Sequence, residues 1–212
     1  MFTNIMANQI NVDVKPALIY SACIDAPFDE GKEALEQKDY SIISLEENAA
    51  LRRQQGKESP VSKNGNWVRE GVIYVQNKGT FLTKSSPIMA NPKEATACNR
   101  KGQWYYLTDK QVEESLEGSI MFPKERELPT DRLGEIELTS YAFGNEAKDY
   151  GLFLKDAGIK ELSILLANIE ETPFAVQLWF RGLGDRSELD GNGRGLDGNY
   201  RVRGVRRAKN FP

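Results

Sequence analysis

Residues 181–201 read RGLGDRSELDGNGRGLDGNYR, and this stretch limits what the chain can fold into more than any other. It contains no Ala, Val, Ile, Pro or Lys, and its only aliphatic side chains are Leu183, Leu189 and Leu196. Burial of apolar surface drives folding, so a segment this polar cannot build a core of its own. It is expected to touch the domain at those three leucines and to expose what lies between. The expected exposed set is Asp185, Arg186, Glu188, Asp190, Asn192, Gly193, Asp197, Asn199 and Tyr200, with Arg181 and Arg201 at the ends. A plain surface connection rich in turn formers would have a similar composition. Length favours function, because long irregular segments are uncommon in compact domains, and Tyr, Arg, Asn, Ser and Gly are the residues of adaptable binding loops.

Three sharper chemistries compete for the same residues. Asp190, Asn192 and Arg194 follow the spacing that opens an EF-hand loop, but a cation stands at the third ligand position and Arg201 takes the place of the closing Glu, so no metal site is expected. Gly191, Gly193 and Gly195 resemble a phosphate-cradling run, yet neither a Gly-Lys-Ser/Thr sequence nor a helix start follows. Arg201, Arg203, Arg206, Arg207 and Lys209 could follow a nucleic-acid backbone and give the alternative reading, a nucleic-acid-binding protein. A structural Arg203 with solvated neighbours is preferred, because base-stacking aromatics are missing from the cluster.

Composition narrows the function further. The chain has no histidine, which removes the usual general base near neutral pH, the commonest metal ligand and any His-based triad. A net charge of -3 supplies no overall basic field. Cys23 and Cys98 belong to no C-x-x-C pair and read as buried thiols, with a single disulfide left open. No apolar run approaches bilayer-spanning length, and the start Met1-Phe2-Thr3-Asn4 lacks a secretion pattern, so membrane insertion is not expected, and the place of work stays open among a virion, a cell surface and the cytoplasm.

With 40% apolar and 28% charged residues in 212, one soluble α+β domain is expected across residues 1–212, with an N-terminal extension of about 15 residues. Strands are expected at 14–24, in a hairpin over 67–82 turned at Asn77-Lys78-Gly79, and at 104–107, 161–169, 173–180 and 200–207. Ser44 with Glu47, and Thr108 with Gln111, form capping-box patterns that start helices, the first closed by Gly56. A helix should follow Pro129-Thr130 through Leu133, Ile136 and Tyr141, and another, capped by Asn145, should carry Ala147, Tyr150, Leu154 and Ala157 to Gly158.

Ala142-Phe143-Gly144, Tyr150-Gly151-x-Phe153-Leu154-Lys155, Pro173-Phe174-Ala175, Gln177-Leu178-Trp179 and Val202-Arg203-Gly204-Val205 together resemble the variable proteins of diversity-generating retroelements. The likeness is to those of archaea, archaeal viruses and small uncultivated bacteria. Pro87, Asn91-Pro92-Lys93-Glu94-Ala95-Thr96 and residues 106–111 extend it over the last two thirds of the chain. The resemblance implies a C-type lectin fold of the formylglycine-generating-enzyme subtype, with helices packed on small antiparallel sheets and a variable ligand-binding region at about 178–205. It also implies a division in which Trp179, Leu183, Leu189, Arg194, Leu196, Arg203 and Gly204 frame the region while the polar residues between them vary. In such systems substitution of the adenines of an Asn codon yields Asp, Gly, Ser, Tyr and Arg among others; Glu188 is harder to reach. The expected partner is an unknown protein or cell-surface ligand, with no cofactor and no catalysis. The calcium tripeptides of sugar-binding lectins are absent, and Cys23 and Cys98 give no local signature of the cysteine pair of formylglycine-generating enzymes.

Overall fold

Two apolar-rich runs, around 67–75 and 173–180, pair with each other in the middle of one sheet. Their side chains alternate between two cores. Val72, Tyr74, Phe174, Val176, Leu178 and Phe180 enter one; Ile73, Val75, Ala175 and Trp179 enter the other. Strands covered on both faces need apolar side chains at successive positions, which is how these two read in the sequence.

The computed structural model describes residues 10–13 and 19–207; residues 14–18 of the first expected strand, most of the N-terminal extension and Lys209 lie outside them. The strands are β1 (Asn11–Asp13), β2 (Ile19–Ala26), β3 (Ser41–Ile42), β4 (Asn66–Val75), β5 (Gly79–Thr83), β6 (Tyr105–Tyr106), β7 (Ile120–Met121), β8 (Glu127–Pro129), β9 (Glu161–Leu166), β10 (Phe174–Phe180), β11 (Ser187–Gly191) and β12 (Tyr200–Arg207). The helices are α1 (Phe28–Glu36), α2 (Leu45–Gln55), α3 (Pro60–Lys63), α4 (Pro87–Ala90), α5 (Pro92–Arg100), α6 (Asp109–Leu116), α7 (Glu137–Phe143) and α8 (Ala147–Asp156). The sheet runs β1-β2-β12-β4-β10-β11-β9-β8, with β3 on β12, β5 on β4, β7 on β5 and β6 on β10. Helices α2, α7 and α8 cover one face, and α1, α5 and α6 the other. The expected small antiparallel sheets are therefore one mixed sheet, with β11 parallel to β9 and a parallel bridge between Val202 of β12 and Trp67 of β4.

Where a side chain fixes a backbone end, sequence and structure agree. Both capping boxes form, with Ser44 accepting from the Glu47 N–H and Thr108 from the Gln111 N–H. Gly56 and Gly158 end their helices at positive φ, and Asn77 and Gly79 turn the β4–β5 hairpin the same way. Elsewhere the structure corrects the reading. Residues 129–141 do not form one helix: a 3-10 turn at Thr130–Arg132 precedes α7, since Thr130 is spent on the Ile159 and Lys160 carbonyls. Asn145 caps nothing through its side chain; it lies inside a 3-10 turn leading into α8, and its N–H donates to Glu46. Helices α1 and α5 escaped the sequence reading. In α1, Gly31 interrupts the pattern because a Cβ there would sit 2.6 Å from Val202 Cγ2.

One buried acid tunes this scaffold. Glu70 of β4 is 1% exposed, and its carboxylate accepts from the Leu45 N–H at the first turn of α2, 3.0 Å away. Burial outweighs that bond and pushes its pKa from 4.5 up to about 7. The folded state thus holds this proton more tightly than the unfolded chain. Its contribution is most favourable below pH 4.5 and is lost as pH rises through 7. Glu70→Gln keeps an acceptor for Leu45 without the charge. In urea unfolding from pH 4 to 8, the stability difference between wild type and Glu70→Gln should change by about 3 kcal/mol in favour of the variant as pH rises.

Candidate ligand-binding site

The site is built on an irregularity in the central strand pair. Gln177 of β10 lies opposite Gly71, but Trp179, two residues on, lies opposite Trp67, so β4 carries extra residues between these pairings. A bulge leaves carbonyls without ladder partners. The Gln177 carboxamide satisfies them, its Nε2 donating to the Val68 and Glu70 carbonyls while its Oε1 accepts from Ser86 Oγ at 2.9 Å. Trp67 and Trp179 then stand on one face as direct cross-strand neighbours.

Tyr200, the first residue of β12, completes a set of three mutually edge-to-face rings. Centroids lie 5.0 Å apart for Trp67–Trp179, 5.8 Å for Trp179–Tyr200 and 6.4 Å for Trp67–Tyr200. Trp67 is buried at 3% exposure and forms the floor, whereas Tyr200 stands 51% exposed as a wall. Gly198 permits this, because a Cβ there would lie 2.5 Å from Tyr200 Cε2. Arg181, Asp190, Gly193, Arg194 and Gly195 close a depression of about 240 Å³ around the rings.

Residues 181–201 do not form the single irregular segment expected from composition. Residues 187–191 enter the sheet as β11, antiparallel to β10 and parallel to β9. Two loops remain, 181–186 and 192–199. The chain is pinned along its course: the Leu183 N–H donates to the Ser62 carbonyl, the Gly191 carbonyl accepts from Tyr74 Oη at 2.7 Å, and Leu196 is held by Asn99 Oδ1 on its N–H and by the Phe28 N–H on its carbonyl. Burial raises the Tyr74 pKa above its ordinary value, which keeps this hydroxyl a donor. Leu183, Leu189 and Leu196 are all buried.

The named residues separate into groups. Arg181, Asp190, Gly193 and Tyr200 surround the aromatic depression; Asn192, Asp197 and Asn199 are exposed on the same loop. Asp185 and Arg186 line a different, polar hollow with Glu127, Lys160, Glu161 and Ser163. Glu188 is not exposed. Its place in β11 buries it, and its carboxylate lies 2.6 Å from Arg181 Nε and 3.5 Å from Arg186 Nε. Asp190 is also largely committed, to Arg181 at 3.1 Å and to the Asn192 N–H at 2.9 Å. Arg194 donates to the Gly102 carbonyl and places its guanidinium 4.7 Å from the Trp104 ring centroid. Gly204 faces Tyr40 at a distance that excludes a Cβ.

The three described side chains of the basic cluster are each engaged by the protein itself. Arg201 pairs in bidentate fashion with Asp25 across β12–β2, Arg203 is buried with its Nη1 donating to Ser21 Oγ, and the Arg206 guanidinium lies over the Tyr20 and Tyr40 rings. Cys23 is buried and Cys98 half-buried. Among the described residues no helix is long and apolar enough to cross a membrane. Sequence reasoning missed the floor, Trp67, because it stands far from 181–201 in the chain. Only the pairings of β4 with β10 and β12 bring it there.

Comparison with family models and with curated proteins yields no match to this sequence. Among solved structures, the chain is similar to a C-type lectin fold described as accommodating massive sequence variation in Nanoarchaeota. The TM-score is 0.66 and the identity 14%, over 96% of this chain and 100% of that one. The chain has the C-type lectin fold, in an α+β arrangement.

The burial difference within one short segment is measurable. Glu188→Ala leaves Arg181 and Arg186 without their buried partner and should lower unfolding stability by roughly 1–3 kcal/mol. Asn192→Ala and Asp197→Ala, at exposed positions, should stay within about 0.5 kcal/mol of wild type in the same denaturant titration.

Proposed function

We propose that the chain is a non-enzymatic variable protein of a diversity-generating retroelement, of the formylglycine-generating-enzyme-like lectin type, forming a single domain over residues 1–212. Its ligand-binding surface is the region 178–205. The aromatic depression is its centre, and Arg181, Asp190, Asn192, Gly193, Asp197, Asn199 and Tyr200 are its selecting residues. Asp185 and Arg186 form an outlying part.

The carrying observation is how the segment is held. The side chains of Ser187, Glu188, Arg194 and Arg201 make part of its fixed contacts, and between them the path is held by main-chain atoms of the segment itself: the carbonyls of Arg181 and Gly191, the N–H of Leu183, and both polar atoms of Leu196. The side chains in these bonds, Arg52, Tyr74 and Asn99, belong to the scaffold. A peptide group offers the same bond whatever side chain it bears, so exposed positions can change while the path stays. Likeness to a fold that accommodates massive sequence variation supports the same reading. The surface is shallow and polar around an aromatic centre, a composition suited to adaptable contacts with a protein or cell-surface ligand.

The test replaces Asp185, Arg186, Asp190, Asn192, Asp197, Asn199 and Tyr200 together with a different set drawn from Asn, Asp, Ser, Tyr and Arg. The melting temperature should move by only a few degrees; a collapse of the fold would mark these side chains as structural. The gene's neighbourhood should hold a reverse-transcriptase gene and a near-copy of the codons for 178–205 that differs mainly at adenines.

A further inference from the structure

The floor of the depression contains a hydrogen-bond donor with nothing to donate to. Trp67 is 3% exposed, and its Nε1 has no partner among the described residues. Leaving a buried N–H unpaired costs free energy, and native structures rarely tolerate one without a reason. The Trp67 Cζ2, two bonds from Nε1, borders Gly195 of the lining. A Cβ on Gly195 would lie 3.7 Å from Cζ2. The other two indoles differ in their surroundings. Trp104 Nε1 donates to Glu170 at 2.7 Å, and Trp179 turns its Nε1 edge toward Gly65.

An indole N–H can only donate, so the group that completes it must bring an acceptor oxygen. The charges of the rim select the kind. Asp190 and Glu188 are both engaged by Arg181, and Asp190 also by the Asn192 N–H. Arg194 has no acidic partner among the described residues: it holds one carbonyl and lies over Trp104. With Arg186 also on Glu188, the two acids are balanced by two guanidinium groups, which leaves Arg194 as the unmatched charge of the rim. Trp179 and Tyr200 add aromatic walls against which a ring can pack. At about 240 Å³ the depression is smaller than the sites that hold whole drug-sized ligands, and its size suits one group of a larger partner.

Building on the proposed binding role, we infer that the depression is a subsite for a carboxylate carried on a ring, with Trp67 Nε1–H as a fixed donor and Arg194 as the neighbouring charge. Two sources carry this chemistry, an aryl carboxylate and an acidic sugar. Trp67 belongs to β4, outside the region 178–205, so this donor is common to every version of the rim. The rim residues then decide which bearer of the carboxylate is accepted.

The test follows the three indole N–H resonances of the full chain by ¹⁵N-resolved NMR. Trp104→Phe and Trp179→Phe identify two of them and leave Trp67 by elimination, without altering the buried ring. Benzoate, glucuronate and benzamidinium are titrated separately, with binding in the millimolar range expected for ligands this small. Saturable downfield movement of the Trp67 resonance with benzoate or glucuronate, and none with benzamidinium, supports the inference; which acid acts names the source. Arg194→Gln should weaken that binding several-fold while the unliganded spectrum stays dispersed. No movement with either acid, or equal movement with benzamidinium, overturns it. That failure is separable from failure of the binding role itself, which is read from the stability of the multiply substituted rim and from the gene's neighbourhood.

Discussion

The Gln177 carboxamide is the interaction on which the rest of the site depends. A change of register between two central strands costs main-chain hydrogen bonds at a place where no water can replace them, and each unpaired carbonyl costs roughly 1–3 kcal/mol. Gln177 answers the Val68 and Glu70 carbonyls from within the same sheet, and Ser86 Oγ fixes the orientation of the amide. Gly71 is part of the device, since a Cβ at that position would lie 2.6 Å from Ser86 Oγ. With the irregularity held, Trp67 meets Trp179 on one side and the parallel bridge to Val202 on the other, which brings Tyr200 over both rings.

A second buried polar group governs where the chain leaves the sheet. Arg52 of α2 is fully buried, and burial lowers its pKa from the ordinary guanidinium value. Its cation lies 3.7 Å from the Phe180 ring centroid and donates to the Phe180 and Arg181 carbonyls and to Tyr150 Oη. Tyr150 in turn shares a hydrogen bond with Ser187 Oγ, the first side chain of β11. One planar, multiply donating group thus ends β10 and, through Tyr150, sets where β11 begins. The tilted and edge-on ring contacts among Phe143, Tyr150 and Phe180 close over it on the helical side.

What could be read from the sequence follows from how local each determinant is. Capping boxes at Ser44 and Thr108, the helix ends at Gly56 and Gly158 and the strands through 174–180 and 200–207 depend on neighbours within a few residues, on a mostly apolar run in the first strand and on alternation of valines with arginines in the second. The strand at 187–191 carries no such mark. Its inner side chains include Ser187 and Glu188, made compatible with burial by Tyr150, Arg181 and Arg186, and no pattern of apolar residues records a polar strand satisfied from elsewhere. Helix α5 was hidden for a related reason: it buries little beyond Ala95 and Thr96, and its Asn99 serves the loop at Leu196 instead of its own helix. Half the candidate site, Tyr200 with Arg181 and Asp190, was visible as an unusual composition. The floor was not, because Trp67 and Trp179 become neighbours only through pairing of β4 with β10.

Strand β11 also sets a limit on the freedom of the surface. It lies between β10 and β9, so substitutions at Ser187, Glu188 and Leu189 face packed neighbours on both sides. On the proposed reading, the exposed positions of 181–186 and 192–199, with Asp190 and Tyr200 beside them, are the ones that change, and backbone bonds at Leu183, Gly191 and Leu196 carry the path. Glu188 is the instructive case. It lies inside a polar segment and reads as one more surface acid, yet removing it would take away one of the two acids that hold Arg181, the other being Asp190 at the rim. A buried acid at that point holds Arg181, and with it Asp190, at one wall of the depression.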